Sequence, residues 1–345
     1  MPLLAAALLS VALMPQPSLR PIEAPMPPIA AFPTEPPPEI DALSWMVYAV
    51  DEQAELGSLD PDRQRAPASI TKLLTAMLAV RNGDPREAIT ISPNADATPI
   101  GYVGQPDIRT GEVWLMEELL DNIMVQSGND AAVALAEYVS GTVDDFVILM
   151  NETAAALGME NTSFENPSGL DDTGHVSTAR DLVTLGVASL EEPDVLRAAR
   201  VKYVTFDPGG RPLEVESTNR LLGVYPGFYG LKTGDTANAG QTLLGYLESS
   251  HERIISVVLG SRTRRVDTRE LLTWAAGRLG PRDHFFAAAS GSEIEALFPD
   301  WYRPVMAAAG SLQVAPSTIG RTPGEEAVLE SLLTLVPEVL GGSGS

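Results

Sequence analysis

Ser69 and Lys72 stand three residues apart in Pro67-Ala68-Ser69-Ile70-Thr71-Lys72-Leu73-Leu74, at the head of an apolar run. On a helix, positions i and i+3 share a face, so a hydroxyl and an amine meet across one turn. A serine hydroxyl is a weak nucleophile at neutral pH and needs a base. A lysine supplies one only where desolvation or a neighbouring cation leaves its amine neutral. Free N–H groups at a helix start favour the oxyanion formed when such a serine attacks a carbonyl. The same residues also fit a capped helix start with its lysine on a wet face. Lysine usage weighs against that: of 23 basic residues only Lys72, Lys202 and Lys232 are lysines. With 24 serines, chance then gives about 0.2 Ser-x-x-Lys matches in the chain.

Two further polar clusters carry chemistry. In Gln126-Ser127-Gly128-Asn129-Asp130, Ser127 can relay a proton and the Asn129 amide can hold a peptide bond, although Ser, Asn and Asp are also ordinary helix caps. In Tyr229-Gly230-Leu231-Lys232-Thr233-Gly234-Asp235, Lys232 and Thr233 offer a cation and a hydroxyl to a carboxylate. Gly234 lets a substrate backbone approach a strand edge. Taken alone, that segment also fits a strand end with one exposed lysine.

The elements that must position these groups follow from pattern. Strands are expected at 44–50 and 54–58, then the Ser69 helix to about Val80, closed by Asn82-Gly83. Residues 93–111 read as loop, and helices follow at 114–125, 130–140, 143–157 and 179–189, with an irregular loop at 161–177. Strands return at 202–206, 213–217, 229–232, 241–249 and 253–260, before a closing helix at 266–279. This order predicts an α/β fold: an antiparallel sheet flanked by helices with an inserted all-helical subdomain at about 92–190.

Around this core at 40–280, residues 1–14 form an apolar signal-like segment without a basic n-region. Residues 15–39 are a proline-rich linker expected to be extended, so an exported domain on a stalk is anticipated. Residues 281–345 form a tail with a possible helix at 325–340. Its Glu325, Glu326, Glu330 and Glu338 replace the basic face that a membrane-surface anchor needs, so no strong anchor is expected there. A net charge of −23 argues against nucleic acid, which is bound through basic patches. The absence of cysteine excludes disulfides and thiolate chemistry.

Ser-x-x-Lys, Ser-x-Asn and Lys-Thr-Gly in this order are a signature of serine acyl-transfer enzymes. With Met150-Asn151, Leu157-Gly158-Met159, Ser177-Thr178-Ala179-Arg180-Asp181-Leu182 and Ser256-Val257-Val258-Leu259-Gly260, the chain resembles the low-molecular-mass penicillin-binding proteins of the D-alanyl-D-alanine carboxypeptidase type from about Asp41 to Leu279. The resemblance implies a penicillin-binding protein/β-lactamase-like fold and attack by Ser69, with Lys72 as base, on peptidoglycan stem peptides ending in D-Ala-D-Ala. It places the backbone N–H groups of Ser69 and Asp235 in an oxyanion hole. Ser127, with Lys232 nearby, then protonates the departing D-Ala while Thr233 holds its carboxylate. β-Lactams are implied as covalent inhibitors, with no metal and no cofactor. One arginine among Arg262, Arg264 and Arg265 is implied near the substrate carboxylate. The Asp235 side chain is expected to point away from the oxyanion or to set substrate preference.

The same residues suit a D-Ala-directed endopeptidase. A class A β-lactamase would need Glu165 to activate water, and a wall-binding module would need neither nucleophile nor base. A Ser-His-Asp hydrolase would have to use a histidine such as His175, and no Gly-x-Ser-x-Gly elbow is present.

Overall fold

A computed structural model describes residues 36–99, 108–207, 212–249 and 252–279. The expectations for 1–14, for most of the proline-rich linker and for 281–345 lie outside those residues. Among the described residues no helix is long and apolar enough to cross a membrane.

Strands β1 (Ser44–Ala49) and β2 (Ala54–Leu59) form a hairpin, and helix α1 (Lys72–Asn82) follows a 3-10 turn at Ala68–Thr71. Then come β3 (Ala88–Thr90), α2 (Pro93–Asp96), β4 (Val113–Leu115), α3 (Met116–Asp121) and a π-helical turn at Asn122–Gln126. Helices α4 (Asn129–Ser140), α5 (Val143–Ala156), α6 (Ala179–Ser189) and α7 (Pro193–Ala199) complete the helical side. The chain continues through β5 (Tyr203–Phe206), β6 (Leu213–Glu216), β7 (Phe228–Thr236), β8 (Gly240–Glu248), β9 (Arg253–Ser261) and α8 (Arg264–Leu279).

The main sheet has the order β2-β1-β9-β8-β7, and its neighbouring strands pair antiparallel. Both faces are covered, which explains the near-continuous apolar runs of β8 and β9. Side chains alternate between the faces with period two. Ile255, Val257 and Leu259 join Met46, Leu244 and the helices α1, α4 and α6 in one core. Ile254 and Val258 join Trp45, Val47, Leu243 and the α8 residues Leu271, Leu272 and Ala275 in the other. Helix α1 runs through the first core with every residue from Lys72 to Ala79 buried, so its apolar character runs all round rather than along one stripe.

Three boundaries differ from expectation. Residues 114–125 are not one helix: Trp114 faces inward on β4 opposite Ile89, and the helix starts at Met116. There the Glu118 carboxylate accepts the Leu115 N–H at 2.8 Å, capping the free backbone group. Helix α7 was not anticipated, although Glu192-Pro193 puts proline at the first helical position. The strand expected to end at Lys232 runs on to Thr236, so Lys-Thr-Gly lies inside β7 at the sheet edge.

Candidate active site

Ser69 sits on the 3-10 turn that enters α1, behind Ala68, whose φ of 52° is left-handed. A non-glycine residue in this region is strained and persists only where its surroundings impose it. Here two glycines press on the turn. A Cβ on Gly234 would lie 2.8 Å from Ala68 Cβ and 2.9 Å from Ser69 N, and one on Gly169 (φ +80°) would strike the Ala68 carbonyl. Strand β7 therefore passes within contact of the Ser69 backbone.

Lys72 is fully buried and its Nζ touches three oxygens: Ser69 Oγ at 3.0 Å, Asn129 Oδ1 at 2.7 Å and the Ser168 carbonyl at 2.5 Å. Burial brings its pKa down to about 7, against the upward pull of Asp130. The loop at 161–177 makes two more bonds to this corner. Thr75 Oγ1 donates to the Pro167 carbonyl at 2.7 Å, and His175 Nε2 lies 2.7 Å from Thr71 Oγ1. Because His175 Nδ1 accepts the Glu165 N–H at 3.1 Å, the ring proton belongs on Nε2 and is donated to Thr71. Burial lowers the His175 pKa to about 4, so it is a neutral brace.

Ser127 ends the π turn with φ 70°, and Asn129 opens α4. Single-turn π segments often mark functional sites. The Asn129 amide divides its two ends: Oδ1 receives Lys72, and Nδ2 donates to the Pro99 carbonyl at 2.9 Å. The Ser127 hydroxyl has no hydrogen-bond partner among the described residues, so no direct Ser127–Lys232 bond is formed. Thr218 ties this turn to β7, taking the Val125 carbonyl at its N–H (3.0 Å) and meeting Thr233 Oγ1 at 2.7 Å.

On β7, Lys232 pairs with Leu244 and Thr233 with Leu243. Lys232 therefore faces the α1 core, and Thr233 faces the α8 side. Lys232 is fully buried and donates to the Thr233 carbonyl at 3.0 Å. Burial first, then Lys72 and Arg264, hold its pKa well below the usual lysine range. Asp235 is exposed, and Arg264 reaches both its carboxylate (3.4 Å) and the Gly234 carbonyl (2.8 Å). Arg262 instead pairs with Asp41 at the surface. Of the three arginines left open by sequence, Arg264 is thus the one bonded to the Lys-Thr-Gly strand.

The fold brings Ser69, Lys72, Asn129, Lys232, Thr233 and Gly234 to one corner between α1, α4 and the edge of the sheet. Sequence reasoning passed over Thr218, the Ser168 carbonyl and the bracing role of His175. The first two carry no residue-type signal. His175 had one, as a lone histidine in the loop between α5 and α6. Glu165 is exposed with its carboxylate against Gly174, and it is not among the three oxygens bonded to Lys72.

This sheet, its helical block and the two buried lysines around a serine define a penicillin-binding-protein fold. Within that class the chain belongs to the D-alanyl-D-alanine carboxypeptidase family, peptidase family S11, whose model matches residues 31–263. It is 34% identical over 255 residues to D-alanyl-D-alanine carboxypeptidase DacC of Escherichia coli (strain K12), an alignment covering 69% of this chain and 62% of the relative. The chain therefore spans less than two thirds of that relative. Penicillin binding protein 6B from Escherichia coli is similar in structure, with a TM-score of 0.66, 33% identity and coverage of 72% of this chain and 81% of that one. So is Penicillin-Binding Protein D2 from Listeria monocytogenes in its cefotaxime-bound form, with a TM-score of 0.61, 32% identity and coverage of 69% and 98%.

Proposed function

We propose that this protein is a penicillin-sensitive, serine-type D-alanyl-D-alanine carboxypeptidase acting on peptidoglycan stem peptides. The observation that carries this reading is the surroundings of Lys72 Nζ. A neutral amine has two N–H bonds and one lone pair. The Ser168 carbonyl and Asn129 Oδ1 accept the two N–H bonds, which leaves the lone pair aimed at the Ser69 hydroxyl 3.0 Å away. A pKa of about 7 suits a general base at neutral pH.

In the proposed reaction Ser69 Oγ bonds to the penultimate D-Ala carbonyl carbon and its proton passes to Lys72. The oxyanion is met by the N–H groups of Ser69 and Asp235, on segments that Gly234 allows to touch. The C–N bond to the terminal D-Ala then breaks, and its nitrogen takes a proton through Ser127, with Lys232 nearby. Thr233 and Arg264 hold the departing carboxylate. Water next hydrolyses the acyl-enzyme. A β-lactam follows the first steps and stalls as the acyl-enzyme. Such a substrate lies on the cell-wall side of the cytoplasmic membrane, so the reading requires export.

Labelling with a fluorescent penicillin, with and without Ser69→Ala, tests the nucleophile, and free D-Ala released from a pentapeptide tests the reaction. Label on the wild type alone, together with D-Ala release, is the expected result. An unlabelled wild type sinks the enzyme reading, and equal label on both sinks Ser69. Rapid penicillin turnover with no lasting acyl-enzyme points instead to a β-lactamase.

A further inference from the structure

Beyond its bonds to Lys72, Thr75 and Thr71, the loop at 161–177 has an anchorage on the sheet. Asp171 is exposed and reaches the turn that joins β7 to β8. Its Oδ1 accepts the Thr236 hydroxyl at 2.6 Å, and its Oδ2 accepts the Asn238 N–H at 3.1 Å. Thr236 Oγ1 in turn accepts the Ala239 N–H at 3.2 Å. One carboxylate thus gathers the turn from Thr236 to Ala239. A carboxylate that only capped a surface turn would bond its sequence neighbours, whereas Asp171 and Thr236 are 65 residues apart.

The arm that carries Asp171 is built around a single amide. Asn166 Oδ1 accepts the N–H groups of Ser168, Gly169 and Leu170 at 3.2, 2.7 and 3.2 Å, and Asn166 Nδ2 donates to the Leu170 carbonyl at 3.0 Å. At one end of this arm the Ser168 carbonyl holds Lys72, and at the other comes Asp171. In between, Gly169 presses on the Ala68 carbonyl, while Gly234 of β7 presses on Ala68 and Ser69. Two residues beyond each glycine, Asp171 and Thr236 close the loop onto the strand. Asp235 stands between Gly234 and Thr236, and its N–H and that of Ser69 are the two oxyanion donors of the proposed reaction. Strand β7 is the last of the main sheet, with a neighbouring strand on one side only. Oxyanion donors act only when correctly placed before the charge develops. We propose that Asp171 is a positioning residue for the oxyanion hole: by clasping Thr236 and Asn238 it holds the Asp235 N–H in place against that of Ser69. The inference rests on the serine acyl-transfer reading given above.

Asp171→Ala and Thr236→Val remove the clasp from either side, and Thr236→Ser keeps it. Rapid-mixing kinetics of the full chain with a penicillin separate the pre-covalent binding constant from the rate of the covalent step. That rate should fall about tenfold in Asp171→Ala and in Thr236→Val, less than the about 10²–10³-fold of a deleted donor, because both N–H groups remain. Thr236→Ser should stay within about twofold of wild type, and the double variant should be no slower than the slower single one, as expected for one shared interaction. The binding constant and the pH midpoint set by Lys72 should not move. A boronic acid, whose boron takes the Ser69 oxygen to become a tetrahedral anion, should lose affinity by the same factor as the rate. Complete final labelling of each variant reports that the fold is intact. An unchanged covalent step in Asp171→Ala overturns the proposal, as does a loss confined to the binding constant, a displaced pH midpoint, or an equal loss in Thr236→Ser and Thr236→Val. A wild type that takes no label would instead overturn the carboxypeptidase reading.

Discussion

The two fully buried lysines of the site differ in what surrounds them. Lys72 Nζ has three oxygen neighbours at 2.5–3.0 Å, one of them the candidate nucleophile. Lys232 Nζ has one, a backbone carbonyl at 3.0 Å, and its other N–H bonds meet no acceptor among the described residues. An ammonium buried without acceptors is costly, and burial, with Lys72 and Arg264 beside it, holds the Lys232 pKa well below the usual lysine range. The contrast assigns different tasks. Lys72 is fully coordinated as a base before any substrate arrives, whereas Lys232 keeps donors in reserve for a hydroxyl or an anion that arrives with the substrate.

Removing the coordinated lysine should have the largest effect. Lys72→Gln keeps a polar side chain but no base, and loss of a positioned general base costs about 10²–10⁴-fold. Acylation by a penicillin, followed in stopped flow, should fall by roughly that factor, towards its upper end because Ser69 has no other base within bonding distance among the described residues. A drop of less than tenfold would mean that Lys232 can take over, and the comparison would collapse.

The pH profile should show the next largest effect. The active form of Lys72 is the neutral amine, and its pKa is about 7. Acylation should therefore rise with pH, reach half its plateau near 7, and fall about tenfold per unit below, to about one hundredth at pH 5. A rate that falls as pH rises through 7 would mean that the ammonium is the working form.

Lys232→Gln should act on binding and leaving-group departure more than on the first proton transfer. A hydrogen bond to a charged group carries about 1.5–3 kcal/mol, which corresponds to roughly 10–100-fold in kcat/KM. The pH limb near 7 should stay in place, since that limb belongs to Lys72. A limb that moved by a full unit would merge the two lysines into one titrating pair.

Legibility followed the same division. Ser69, Lys72, Asn129, Lys232 and Thr233 could be found because each stands in a short motif of fixed spacing, whereas the Thr218 hydroxyl stands in none. The antiparallel sheet and the helical block were equally visible in the near-continuous apolar runs of β8 and β9, bounded by turns, and in the glycine-closed helices. Hidden were the parts made of backbone. The Ser168 carbonyl could have belonged to any residue, and the left-handed Ala68 carries no compositional mark. The split of 114–125 into a strand and a helix turns on one capping bond from Glu118. Arg264 could not be separated from Arg262 by spacing, because only the fold shows which of them meets β7 and which meets Asp41.

The smallest expected effect concerns the brace behind the coordinated lysine. His175 is neutral when folded, with a pKa lowered by burial from 6.5 to about 4, while the unfolded chain carries an ordinary histidine. Between those values the unfolded state binds the extra proton, so stability falls as pH drops through that window. The contribution is complete above about 6.5 and gone below about 4, a loss of about 3 kcal/mol. Protonation would also set a ring N–H against the Glu165 N–H that Nδ1 now accepts, loosening the loop from Thr71. Carboxylates titrate in the same range, so the informative quantity is a difference. The gap in urea midpoint between wild type and His175→Asn should narrow steadily from pH 7 to pH 4, and acylation at pH 7 should fall only a few-fold in the variant, since Lys72 keeps its three oxygens. A gap independent of pH would show that His175 titrates alike in the folded and unfolded states, and the buried neutral ring assigned to the Thr71 bond would be wrong.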